Sequence, residues 1–258
     1  FKAFLAFALE LGADKLATGH FCRTDGEGRL LKGLDPQKDQ SYFLYMVKQA
    51  QLQKACFPVG HLAKSQVRAI AREAGLPVSE KKDSTGVCFI GERRFKRFLM
   101  DYLPAQPGPI QTVSGETVGR HDGLMYYTLG QRRGLGIGGR GDGRRWFVVD
   151  KDLRRNVLVV EQGEDSPLLY ATRAECTDAT WVSGSPPAET FECAARFRYR
   201  QQDQPVTITV QGDRLLVQSH VPQRALTPGQ SVVLYRGEEC LGGAILDRAL
   251  DIGTGPDA

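Results

Sequence analysis

The chain has 258 residues, 41% of them hydrophobic and 25% charged, with a formal net charge of +4. That length can bury a large core as one domain or as two to three smaller ones, and the composition is that of a globular protein rather than a disordered one. No apolar run approaches the ~20 residues that cross a bilayer and no secretory signal pattern is present, while the charge excess is too small to specify a nucleic-acid partner by itself.

FKAFLAFALELG places Phe1, Phe4, Leu5 and Ala8 on one helical face, with Gly12 as the stop. A helix that starts at residue 1 without a cap reads as cut into. The short apolar run LAT, ending in Gly19 and His20, predicts a buried strand that runs into a functional loop. SQVRAIAREAG predicts a second helix with Val67, Ile70, Ala71 and Ala74 inward, closed by Gly75 and Pro77. Helices alternating with short apolar strands point to an α/β layer, whose ligands gather at the carboxyl ends of strands. This first region extends to residue 92.

KKDSTGVCFIGE, near its end, sets Cys88 where a Ser-Thr-Gly turn meets an apolar pair, behind Lys81 and Lys82. A core cysteine needs only apolar neighbours. Cations nearby lower a thiol's pKa and enrich the nucleophilic thiolate if the side chain is accessible. Both readings stand on this stretch alone. The other five cysteines (Cys22, Cys56, Cys176, Cys193, Cys240) lie far apart, with no Cys-x-x-Cys or Cys/His spacing. A bound structural metal and a secreted disulfide framework are therefore not expected, and a reducing cytoplasm is.

RRFKRFLMDYL predicts a helix with Phe95, Phe98, Leu99 and Tyr102 on one face, ended by Pro104, and PAQPGPI makes a stiff connection. The region 93–163 then mixes short strands with glycine-rich loops. GQRRGLGIGGRGDGRR holds seven glycines and five arginines over residues 130 to 145. It fits neither GxGxxG nor a P-loop. A solvated loop and a loop that meets RNA phosphates are both open readings.

From residue 164 to 250 the pattern becomes period two. In FECAARFRYR, Phe191, Cys193, Ala195, Phe197 and Tyr199 alternate with residues that include Arg196, Arg198 and Arg200, so three arginines are expected on one strand face. PVTITV, LLVQSHV and SVVLYRG continue the pattern, which predicts a small antiparallel barrel or sandwich with Cys193 and Cys240 in its core. Residues 251–258 read as a frayed tail.

LATGH, LDPQKDQSYFLY, FPVGHLAKSQVRAIA, KKDSTGVCFIGE, LMYYTLGQRRGLGIGG, WFVVDKD and TPGQSVVLY, in that order, resemble the tRNA-specific 2-thiouridylases over nearly the whole chain. The resemblance implies an α/β plus β fold: the remainder of a parallel-sheet PP-loop nucleotide-binding domain (1–92), a small mixed central domain (93–163) and a C-terminal antiparallel β-barrel that binds tRNA (164–250). It implies ATP-dependent transfer of persulfide sulfur to C2 of the wobble uridine of tRNA, with Mg accompanying ATP, a persulfide-carrying sulfur-relay protein as donor, and a disulfide bond.

Residue by residue, Cys88 matches the family's persulfide carrier and Gly19 a position where the backbone approaches ATP. His20 matches a tRNA-contacting site, and Lys38, Asp39 and Gln40 a tRNA-contacting loop. Tyr199 and Arg200, with Arg198 beside them, fall in a tRNA-contacting barrel segment, and Gln230 is a further candidate. The family's Ser-Gly-Gly-Val-Asp-Ser phosphate loop and its Asn-Pro-Asp motif with a first catalytic cysteine do not occur in this sequence. The expectation is a chain matching the carboxyl-terminal two-thirds of the family, inactive alone. An RNA-binding remnant without catalysis is the alternative, and an adenylating ligase of another substrate class is a third reading.

Overall fold

The computed structural model describes residues 1–80, 105–139 and 141–253. The described residues fall into two compact units, the first within Phe1–Lys81, Arg173–Val221 and Pro228–Leu250, the second within Lys82–Thr172, Pro222–Thr227 and Asp251–Ala258. Cys88, the lysines before it and the helix expected over RRFKRFLMDYL lie outside the described residues.

The first unit opens with helix α1 (Lys2–Glu10), which ends where Gly12 takes a φ of +86°. Its expected inward face is only partly inward. Leu5 is buried and Phe1 packs on the core, but Phe4 is 62% exposed. Next come β1 (Leu16–Ala17), the hairpin strands β2 (Cys22–Thr24) and β3 (Leu30–Lys32), the short helices α2 (Ser41–Leu44) and α3 (Gln49–Leu52), and β4 (Ala55–Cys56). Strands β1 and β4 pair in parallel, Leu16 opposite Ala55. The turn after β4 touches the hairpin so closely that a Cβ on Gly60 would lie 1.7 Å from the Cys22 carbonyl oxygen, so only glycine fits. Helix α4 (Lys64–Glu73) forms as expected, but its inward face is not found: none of its residues is buried, and Ile70 is 54% exposed. Its amphipathic pattern specifies the helix, while burial needs a partner surface that the described residues do not place against it.

In the second unit, β5 (Gly108–Thr112), β6 (Thr117–His121), β7 (Trp146–Asp152) and β8 (Val157–Gln162) form a mixed sheet in the order β6-β5-β8-β7. Only the β5–β8 pair among them is parallel, with Ile110 opposite Leu158. Ile110, Val148, Leu158 and Val160 make a fully buried cluster, joined by Leu135 from the glycine-rich loop. His121, wholly buried beside it, has both ring nitrogens engaged: Nδ1 accepts from the Gly123 amide at 3.0 Å and Nε2 meets the Asn156 carbonyl at 3.0 Å. With Nδ1 an acceptor, the proton sits on Nε2 and the ring is a structural tie.

The remaining strands are β9 (Tyr170–Trp181), β10 (Thr190–Arg196), β11 (Gln204–Gln211), β12 (Arg214–Arg224), β13 (Ser231–Arg236) and β14 (Glu239–Ala249). They run in the order β13-β10-β11-β12-β9-β14, and a β13–β14 pairing closes the ring into a six-stranded barrel. The fold class is therefore the expected one, and closure removes the free edges an open sheet would expose. Cys240 is buried, as its pattern predicts, whereas Cys193 is half-buried. One joint was not legible in the sequence. Strand β3 pairs with the start of β14, Cys240 opposite Leu30, so the β2–β3 hairpin continues the barrel wall.

Candidate nucleic-acid interface

The turn before α2 is tied to the barrel by charge. Oδ1 of Asp39 accepts the Gly33 and Ser41 amides, each at 3.0 Å, and Oδ2 accepts Nη1 of Arg196 at 2.7 Å. Arg196 also donates its Nε to Asp203 at 2.7 Å, and Lys32 bridges Asp203 and the Gly237 carbonyl. Both cations lie over the ring of Tyr235, Lys32 at 4.5 Å and Arg196 at 4.7 Å. Asp39 is 2% exposed. A carboxylate this enclosed needs its partners, because an unpaired buried charge is strongly destabilising. Its side chain thus sets the loop's shape, leaving the backbone for any contact with RNA.

Gln40 also faces inward. Its amide donates to the Phe21 carbonyl at 2.8 Å and its Oε1 accepts the Phe21 amide at 2.9 Å. This clasp lies one residue from His20 and so links two candidate positions. Lys38 is half-buried on the same turn. Helix α2 completes the docking, with the Tyr42 hydroxyl donating to the Ser231 carbonyl at 2.8 Å and the Ser231 hydroxyl donating to Tyr45 at 3.2 Å. Gln230, half-buried, immediately precedes Ser231, and its carbonyl accepts the Leu246 amide at 2.8 Å.

The reading of three arginines on one strand face is corrected here. Strand β10 ends at Arg196, which turns inward because Asp39 and Asp203 neutralise it. Residues 197–200 leave the strand, and Arg200 takes a left-handed φ of 65°. Arg198 is half-buried and Arg200 exposed. The Tyr199 ring lies 4.4 Å from that of Phe43, and the Arg200 guanidinium sits 5.3 Å from the Tyr199 ring. Phe43 is 55% exposed. An open aromatic pair beside an arginine has the chemistry to stack an unpaired base. Phe43 is the residue sequence reasoning missed. Its signal was the aromatic-rich run Ser41-Tyr42-Phe43-Leu44-Tyr45, where the tyrosines and Leu44 turn inward and leave one aromatic outside.

Gly19 follows β1 and is exposed, and a Cβ built there would meet nothing within 4 Å. A ligand can approach its backbone at the carboxyl end of the parallel pair. The described residues offer ATP this open position but no cradle for its phosphates. His20 is half-buried between the rings of Phe1 and Phe57, with Nδ1 2.9 Å from the Thr18 hydroxyl. Burial holds its pKa below the ordinary 6.5.

Five cysteines are described and all are free, so the disulfide implied by the resemblance does not occur among the described residues. Burial pushes the Cys22 thiol up, and the Cys176, Cys193 and Cys240 thiols up to about 12. These four are neutral and poorly nucleophilic near neutral pH. Cys56 alone among the five is exposed.

Comparison with known proteins adds an independent line. Residues 1–92 match the family model described as tRNA methyl transferase HUP domain, 96–162 the tRNA methyl transferase PRC-barrel domain, and 172–246 the aminomethyltransferase beta-barrel domain. A tRNA-specific 2-thiouridylase MnmA of Alkaliphilus oremlandii is 58% identical, over 97% of this chain and 70% of the relative. The protein of the same name from Exiguobacterium sibiricum is 57% identical, over 98% of this chain and 68% of the relative. A tRNA-specific 2-thiouridylase MnmA 2 of Geobacillus kaustophilus is 57% identical, over 96% of this chain and 67% of the relative.

Proposed function

Because this chain belongs to the tRNA-specific 2-thiouridylase family, we propose that it serves tRNA 2-thiolation, with Cys88 carrying the sulfur as a persulfide. The observation that carries this reading is 55–58% identity to proteins of that name across nearly the whole chain. ATP supplies activation of the C2 oxygen of the wobble uridine, which leaves as AMP, and Mg accompanies ATP. The terminal persulfide sulfur bonds to C2 as the C2–O bond breaks. A second thiol then opens the S–S bond to release the thiolated base, leaving a disulfide with Cys88. Lys81 and Lys82 precede Cys88 in sequence, and cations near a thiol favour the anionic form this step needs.

The aromatic pair Phe43 and Tyr199, with Arg200 beside it, provides the face that meets the tRNA, and Lys38 and Arg198 are further contacts to it. His20 and Gln230 are further tRNA contacts, and Asp39 and Gln40 hold the loop in place. Gly19 is the described position open to ATP. The three segments 1–92, 93–163 and 164–250 serve as adenylating, central and tRNA-binding parts. A persulfide-carrying relay protein in the cytoplasm is the sulfur donor. The sequence contains no Ser-Gly-Gly-Val-Asp-Ser loop, so the chain alone should not release AMP in response to tRNA.

Peptide mass spectrometry after incubation with a persulfide donor tests the central assignment. The expected result is a gain of one sulfur atom on Cys88, lost in Cys88→Ser. Equal modification of several cysteines, or none, would reject the assignment and favour an RNA-binding role without catalysis.

A further inference from the structure

The glycine- and arginine-rich loop of the second unit has a defined shape. Gln131 pins its first limb, with Oε1 accepting the Thr128 amide at 3.0 Å and Nε2 donating to the Arg133 carbonyl at 2.9 Å. Leu135 is buried in the sheet core and Ile137 packs against it. Gln162 pins the second limb, accepting the Asp142 amide at 3.0 Å and donating to the Arg144 carbonyl at 2.9 Å. Two apolar anchors and two amide side chains thus hold a segment whose composition reads as free loop.

Between the limbs lies a cleft of about 430 Å³ lined by Arg132, Arg133, Arg144 and Arg145, with Trp146 beside them. No carboxylate among the described residues lines it. Arg144 is neutralised, its Nε 2.7 Å from Asp142 and its Nη1 3.4 Å from Asp165. Arg132, Arg133 and Arg145 have no carboxylate partner among the described residues. Gly134 and Gly136, at φ +76° and +68°, turn bare backbone towards open space, where a Cβ would meet nothing within 4 Å. Left-handed glycines between right-handed residues can present successive amides to an anion.

We propose that this cleft binds phosphodiester groups of the tRNA backbone through Arg132, Arg133 and Arg145, a contact that places the substrate without reading its sequence. A pocket for a free nucleotide encloses most of its ligand in apolar lining. Here the lining is cationic, and Arg133 and Arg145 are exposed. That suits a chain of phosphates passing across the surface. The inference rests on tRNA being the substrate.

The test is the affinity of the full chain for two tRNA transcripts, one with a wobble uridine and one with a wobble cytidine, measured across a KCl series. An Arg132→Gln/Arg133→Gln/Arg145→Gln variant is compared with its triple lysine counterpart. The glutamine variant should bind both transcripts about tenfold or more weakly, and its slope of log affinity against log salt should fall by about 2–3, close to one unit per lost phosphate contact. The lysine variant should keep most of the slope. An unchanged slope in the glutamine variant would overturn the inference and leave the thiolation reading intact, as would loss on one transcript alone. Equal loss of slope in the lysine variant would assign the arginines to folding and overturn it too. No tRNA binding by the unaltered chain would overturn both.

Discussion

Barrel strands of the first unit turn Val206, Ile208, Leu215, Val217, Leu234 and Leu246 inward to 1% exposure or less, whereas α4 buries none of its residues and α1 only Leu5. Both parts carry clear apolar patterns, so pattern alone does not account for the difference. The barrel closes on itself and supplies its inward apolar side chains with neighbours. The two helices depend on surfaces elsewhere. Between these extremes, residues 21–57 borrow rigidity from the barrel, because the β2–β3 hairpin extends its wall and α2 docks on β13. The candidate RNA-facing loop, residues 38–40, sits in this borrowed part. The first unit thus holds its candidate interface against its best-packed element and carries α1 and α4 outside it.

The largest expected effect comes from cutting the tie between loop and barrel. Asp39→Ala removes one of the two carboxylates that hold Arg196 and the acceptor of the Gly33 and Ser41 amides, and should cost about 3–5 kcal/mol in urea unfolding. A loss under about 1 kcal/mol, the range of exposed ion pairs, would show that water reaches the pair. A slightly smaller effect is expected from the barrel core. Leu234→Ala should destabilise by about 2–5 kcal/mol, while Ile70→Ala on α4 should stay within about 0.5 kcal/mol. Amide hydrogen exchange on the same samples should show β13 opening only with global unfolding and α4 well before it. Matching protection in the two would break the comparison.

The smallest effect is a pH dependence at His20. Its folded-state pKa lies below the unfolded value of 6.5, so between the two values the unfolded chain binds more protons. Stability should therefore be full above pH 6.5 and fall as the pH drops through 6.5 towards the folded pKa. His20→Gln should flatten the stability profile between neutral pH and pH ~5. An NMR titration of His20 with a midpoint above 6.5 would contradict its half-buried setting between Phe1 and Phe57.

Much of the fold was legible because it is local. Alternation in PVTITV and SVVLYR became β11 and β13, and SQVRAIARE became α4. The fate of Arg196 was not legible. Its alternation placed it with Arg198 and Arg200, but its partner Asp39 is 157 residues away in sequence. Phe43 was passed over because an aromatic among aromatics reads as core, and only docking shows which ring is left outside.

The sequence by itself determined the periodic elements, the burial of Cys240 in one of them, and, through seven ordered motifs, the family. These depend on neighbours along the chain or on residue identity. The tertiary structure alone decided which charged groups are structural and which face outward, that β3 joins the barrel wall at Cys240, and that the two limbs of the glycine-rich loop are pinned around Arg132, Arg133 and Arg145, which have no carboxylate partner among the described residues. Those outcomes turn on desolvation and pairing between groups far apart in sequence, where a buried charge must find its partner and an exposed one need not.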